Sequence, residues 1–219
     1  MDNSLFGMVA FEMKIRERIF AELLALEWNT RYPELNKDGD SQIAKLWARM
    51  HHWGDYVEVK DGNYTLRLTK KHAGLRLIER NSWPKWYGDN FQGLRVLDVG
   101  AGAGETASFF LNLGALCVYA IEPDPKAVKM LKHNAEVNRW PIFIYEEMFS
   151  LAHLEILPPF DYMKMDIEGG ERELLAYDGK LKPSRIELHP QFLGKDGYLA
   201  LINKFGLLPV QKPYVWRTP

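Results

Sequence analysis

Residues 95–106 read Arg-Val-Leu-Asp98-Val-Gly100-Ala-Gly102-Ala-Gly104-Glu-Thr106, an apolar run that enters three alternating glycines and continues into helix-forming residues. Few folds accommodate such a segment. A strand that breaks into a glycine turn and then a helix opens a strand–helix–strand unit. Glycine at the turn permits positive φ and lets a ligand lie against the backbone, while the helix N-terminus beyond it favours an anion. A small-molecule cofactor site on a parallel sheet is therefore expected here.

The chain on either side supports that sheet. From Gln92 onward, strands at 95–99, 117–121, 142–145, 162–165 and 185–188 alternate with helices at 106–113, 125–138, 171–177 and 197–205, which predicts a mostly parallel sheet covered on both faces. Residues 207–210 and 214–217, about Lys212-Pro213, predict a terminal antiparallel hairpin and hence one reversed edge strand. The fold class expected is α/β, a Rossmann-like sheet with an appendage in front of it. In that appendage Phe6, Val9, Met13, Phe20 and Leu24 share one face of a helix over 5–28, where the turn per residue is about 100°. A loop over 31–40, a helix over 42–53 and a hairpin over 56–68 about Asp61-Gly62 follow. The expected division is residues 1–90, a lid or acceptor platform, and 91–219, the cofactor-binding domain.

Composition narrows the function classes. With 219 residues, 47% of them hydrophobic, the chain has material for one core plus a small addition, and a net charge of −1 removes any bulk attraction to nucleic acid or anionic membranes. The single Cys117 forms no internal disulfide and suits a reducing compartment, so a cytoplasmic location is expected. No apolar run approaches the roughly 18 residues of a spanning helix, and residues 1–20 do not read as a signal peptide or anchor. No membrane partner is expected.

A dinucleotide fingerprint would need Gly-x-Gly-x-x-Gly, but the third glycine comes one residue early and position 105 is Glu. Asp98 followed by Gly100-x-Gly102-x-Gly104 instead resembles motif I of the class I S-adenosylmethionine-dependent methyltransferases. The resemblance implies that backbone N–H groups of the glycine turn take the carboxylate of S-adenosylmethionine and that Asp98 takes its ammonium. Glu122, at the end of the next strand and 20 positions beyond Gly102, stands where a carboxylate accepts hydrogen bonds from both ribose hydroxyls. At the end of the third strand the same resemblance places Glu147 and Met148 near the adenine.

A second segment carries the chemistry: Lys164-x-Asp166-x-Glu168-Gly169-x-Glu171, then Leu174-Leu175. With motif I and the Glu187-Leu-His189-Pro190 run on strand five, it resembles the FkbM family of methyltransferases over roughly residues 92–205. That family resemblance implies methylation of a hydroxyl oxygen on a small molecule or sugar. Methyl transfer from a sulfonium expels a neutral thioether, so the protein's tasks are to align the acceptor and help remove its proton. Asp166, Glu168 and His189 are the catalytic candidates. Glu171 and Glu173 read as partners of a helix dipole. A divalent ion held by Asp166, Glu168 and His189 is a further reading, but the spacing specifies no metal and none is assigned.

Two subclasses are set aside. Base-carbon methylation commonly needs a cysteine nucleophile, and Cys117 lies within a strand. Base-amine methylation resembles families with Asn or Asp-Pro-Pro-Tyr/Phe, where this chain has Asp166-Ile-Glu168. A small-molecule or sugar acceptor is thus expected in preference to RNA. The RNA alternative rests on seven basic residues (Lys60, Arg67, Lys70, Lys71, Arg76, Arg80 and Lys85) against two acidic ones, interleaved with Tyr64, Trp83, Trp86 and Tyr87. A hydrophobic packing seam explains the same residues. A non-catalytic cofactor-binding relative is the remaining alternative.

Overall fold

Alternating apolar residues about a glycine turn make the first two described strands, β1 (Val57–Asp61) and β2 (Tyr64–Leu68). They belong to a computed structural model that describes residues 56–69, 72–73, 79–210 and 214–219. The helices expected over 5–28 and 42–53, the loop between them, and Lys70, Lys71 and Arg76 lie outside the described residues. The chain divides into two compact units, residues 1–59 with 67–81 and residues 60–66 with 82–219. In the first, Arg67 pairs with Glu58 at 3.0 Å and lies over the Tyr56 ring.

The second unit holds α1 (Trp83–Tyr87), β3 (Arg95–Val99), α2 (Glu105–Asn112), β4 (Cys117–Ile121), α3 (Pro125–Asn138), β5 (Ile142–Tyr145) and the short α4 (His153–Ile156). It continues with β6 (Tyr162–Met165), a 3₁₀ helix (Gly170–Ala176), β7 (Ser184–Glu187), α5 (Pro190–Phe205), β8 (Leu208–Pro209) and β9 (Val215–Arg217). The sheet order is β5-β4-β3-β6-β7-β9-β8. Strands β3 to β7 run parallel, and β9 pairs antiparallel with β7 and with β8. The reversed strand is thus β9, with two-residue β8 outside it.

Strand order reverses beside β3: the chain steps outward to β4 and β5, then returns to β6 on the other side. The carboxyl edge of β3, β4 and β6 is therefore the switch point where parallel sheets open a crevice. Local chemistry sets the helices around it. Asp124 caps α3 by accepting the Lys126 amide at 3.0 Å, Pro125 opens the first turn, and Ala127, Val128, Leu131 and Asn134 form its buried stripe. Helix α5 begins earlier than periodicity suggests, because Pro190 starts a first turn on the His189 carbonyl before the chain kinks at Gly194. The segment over 171–177 is 3₁₀ rather than α.

One side of the core is aromatic. Phe91 packs on Phe110 at 4.8 Å and on Tyr162 at 5.0 Å, and Trp83 on Phe109 at 5.6 Å. Each fully buried ring of this kind contributes about 1.5–3 kcal/mol relative to exposure. Trp83 and Tyr87 are buried there, so neither is available to stack a nucleic-acid base. No helix among the described residues is long and apolar enough to cross a membrane.

Candidate functional site

The glycine turn is gripped from three sides. Gly100, Gly102 and Gly104 all have positive φ. A Cβ at Gly100 would overlap the carbonyl oxygen of Asp166, and one at Gly104 would stand 2.8 Å from Leu131 Cδ1 and 2.9 Å from the Trp140 ring. Two of the three glycines thus let the turn seat against β6 and α3. Glu122 grips the turn from β4: its carboxylate accepts the Gly102 amide at 2.8 Å and the Asp124 amide at 2.9 Å. Asn134 of α3 donates to the Ala103 carbonyl at 2.9 Å.

Beneath the turn lies a buried ion pair. Asp98 is fully enclosed, accepting the Thr106 hydroxyl at 2.6 Å and lying 3.2 Å from the Lys164 ammonium. Lys164 is the register partner of Asp98 on β6, and its Nζ also donates to the Gly100 carbonyl at 2.7 Å. Burial pushes the Asp98 carboxyl up, against the pull of Lys164 and Thr106. Burial would lower the pKa of Lys164, but the Asp98 and Asp166 carboxylates outweigh it and the ammonium titrates above its ordinary value. The cation that Asp98 meets in this structure is the chain's own Lys164.

At the end of β5 the two residues expected near an adenine face outward. Glu147 lies 3.2 Å from Nε2 of His153, and Met148 is 75% exposed.

The carboxyl edge of β6 and β7 brings Asp166 and His189 together. Asp166 donates its amide to the Val99 carbonyl at 3.0 Å, and its partly exposed carboxylate lies 3.6 Å from His189 Nε2. On the other side of the ring, Nδ1 is 2.6 Å from Oε1 of Glu171. Glu171 is wholly buried, and its Oε2 accepts the Gly169 amide at 2.7 Å. Burial would lower the imidazole pKa, but the Glu171 hydrogen bond and the Asp166, Glu171 and Glu187 carboxylates outweigh it and raise it above the usual value. Glu168 is exposed on left-handed backbone, φ 48°, and is not drawn into this cluster. Among the described residues, no three His, Cys, Asp or Glu side chains are grouped to hold a metal ion. A cavity of about 530 Å³ lined by Tyr177, Lys180, Lys204 and Thr218 lies at the opposite edge of the sheet, away from these groups.

The fold recurs in solved structures. The T. thermophilus 16S rRNA N2 G1207 methyltransferase, in complex with AdoMet and guanosine, superposes with a TM-score of 0.55 at 19% identity, over 74% of this chain and 48% of that one. M. jannaschii TYW2 in complex with AdoMet superposes with a TM-score of 0.50 at 16% identity, over 77% of this chain and 85% of that one. This is the class I methyltransferase fold. Within it, residues 73–156 match the family model of ribosomal protein L11 methyltransferase (PrmA). Two curated proteins of that description are similar in sequence. The one from Aquifex aeolicus is 32% identical over 112 residues, 47% of this chain and 45% of that protein. The one from Paraburkholderia xenovorans is 34% identical over 108 residues, 48% of this chain and 34% of that protein. The matched stretch spans less than half the length of these relatives.

The matching family is thus not the FkbM family that the sequence resembles. The FkbM-like motif, Lys164 to Glu171, lies beyond the matched residues. The expectation of a small-molecule or sugar acceptor is overturned, because these relatives are named for a ribosomal protein and the fold neighbour of T. thermophilus for ribosomal RNA.

Proposed function

We propose that the protein is an S-adenosylmethionine-dependent methyltransferase whose acceptor is a macromolecule of the translation apparatus, a protein in the first place, acting in the cytoplasm. The observation that carries this reading is the Glu122 clasp on Gly102, which falls within the stretch similar to ribosomal protein L11 methyltransferases. The donor set fits the cofactor at its ribose end: each Glu122 oxygen accepts one amide and keeps a second lone pair for a hydroxyl. The fit is different at Asp98, which is sealed beneath the turn by Lys164 and Thr106 and acts on the ligand only through the backbone it supports.

S-adenosylmethionine would supply a methyl group on a sulfonium, the leaving group being a neutral thioether. The chain's part is orientation and proton handling. Glu122 fixes the ribose, with Glu147 and Met148 at the adenine end, and Gly100 to Gly104 present backbone to the methionyl end. Asp166, at the crevice mouth, orients the acceptor and receives its proton, with His189 beside it and Glu168 on the rim. Protein is favoured over RNA because the sequence relatives above 30% identity are protein methyltransferases and because Trp83 and Tyr87 of the basic-aromatic stretch are committed to the core. The test is incubation with methyl-labelled S-adenosylmethionine and ribosomal fractions of the source cell. Label in the protein fraction is the expected result, label in RNA would reassign the acceptor, and label in small molecules alone would overturn the reading.

A further inference from the structure

Glu171 is out of place for a residue that serves a helix dipole. A carboxylate in the first turn of a helix normally stays in water, where it costs nothing to keep charged. Here the side chain is turned inward and wholly buried, with one oxygen on the Gly169 amide at 2.7 Å and the other on Nδ1 of His189 at 2.6 Å. Burying a carboxylate is costly unless a charge and hydrogen bonds compensate it, and this one is spent on a single imidazole. That ring can turn only with the bond to Glu171 broken, so its Nε2 is fixed toward Asp166.

The 3.6 Å between Nε2 and Asp166 Oδ1 is an ion-pair distance, longer than a hydrogen bond, so what acts across it is charge. Two carboxylates face the ring, Glu171 from the 3₁₀ helix and Asp166 from the end of β6, and the charge of Glu187 at the end of β7 acts on it as well. From α5 the half-exposed Phe192 ring lies 6.2 Å away. A ring so surrounded holds its proton more tightly than a free imidazole, and the protonated ring is a poor proton acceptor but a firm anchor for a carboxylate.

We propose that Glu171 and His189 are a positioning pair: Glu171 locks and charges the imidazole, and the imidazolium holds the Asp166 carboxylate in one orientation at the crevice mouth. The role in methyl transfer rests on the methyltransferase reading above, whereas the pairing itself does not. His189 then acts through Asp166 and removes no proton itself.

The test uses the full chain. In Glu171→Gln the amide still accepts from Nδ1 but the charge is gone, so a proton titration followed by NMR should show His189 losing its proton at lower pH than in the wild type. Turnover with methyl-labelled S-adenosylmethionine and the accepting ribosomal fraction should fall roughly tenfold or more, as on loss of a supporting carboxylate. Cofactor affinity should stay within about twofold, since Glu122 and the glycine turn are untouched. Lowering the pH until His189 is protonated again should restore much of the lost turnover, a recovery that a scaffold role would not produce. An unchanged His189 titration, or a deficit equal at every pH, overturns the proposal. Should Glu171→Gln fail to fold, Asp166→Asn must lower the same titration, and no change there overturns it equally. If the wild type labels nothing, the methyltransferase reading falls while the His189 titration still decides the pair.

Discussion

Asp98 and Lys164 face each other across the β3–β6 pairing, 3.2 Å apart and both closed off from solvent, and the lysine reaches on to the Gly100 carbonyl. The pair joins the strand that enters the glycine turn to the strand that ends at Asp166.

Removing one member leaves the other buried without its counter-charge. Lys164→Met should destabilise the fold by about 3–5 kcal/mol. The double variant Asp98→Asn/Lys164→Met should recover much of that loss. Urea unfolding of the four proteins gives the coupling directly, and simple additivity of the single changes would contradict it.

Glu122 holds the turn and, in the proposed reading, the ribose. Glu122→Ala should weaken S-adenosylmethionine binding by about 1–3 kcal/mol, the usual cost of charged hydrogen bonds. Calorimetry with the cofactor or its demethylated product checks this, and equal titrations would remove Glu122 from the site.

Gly100→Ala places a methyl group against the Asp166 carbonyl on backbone of positive φ, 78°. The left-handed conformation alone costs about 1–2 kcal/mol, and relief of the overlap requires the ends of β3 and β6 to part. Stability and cofactor affinity should therefore fall together. Loss of stability with affinity intact would show that the turn tolerates the separation.

His189 has a raised folded-state pKa, against an ordinary value of 6.5. The folded state thus binds its proton more tightly than the unfolded chain does. The associated stabilisation is complete below the unfolded value and is lost as pH rises through the folded one. Wild-type stability in urea should decline over this window, and Glu171→Gln should flatten the decline. A parallel pH dependence in both proteins would refute the assignment.

Much of this arrangement was legible in the residues. Strands at 95–99, 117–121, 142–145 and 162–165 stand where their apolar runs lie: β3, β4 and β6 sit inside the sheet, where a parallel strand buried on both faces needs such a run, while β5 is its partly exposed edge. The hairpin is present, but Gly62 and Asn63 form its turn, and Asp61 completes β1 because its buried carboxylate accepts the Ser108 hydroxyl at 2.6 Å. The roles of Lys164 and Glu171 depend on contacts far apart in sequence. Lys164 within an otherwise apolar strand was a signal that a buried partner must exist, but identifying Asp98 required the β3–β6 register. Glu171 carried no such signal, since Gly169-Gly170-Glu171 reads equally as a helix start. Only the path of β7 brings His189 to it.

The hairpin turn bears on where this chain can be cut. Ser108 and Asn112 of α2 bind Asp61 at 2.6 and 2.8 Å, and Asn138 of α3 takes both the amide and the carbonyl of Thr65, at 2.9 and 2.8 Å, as a neighbouring strand would. A fragment starting at Ser82 would strip three polar side chains of their partners on the two helices that flank the glycine turn. Residues 60–66 therefore travel with the cofactor half in any dissection, and a truncation meant to isolate that half should begin upstream of the hairpin.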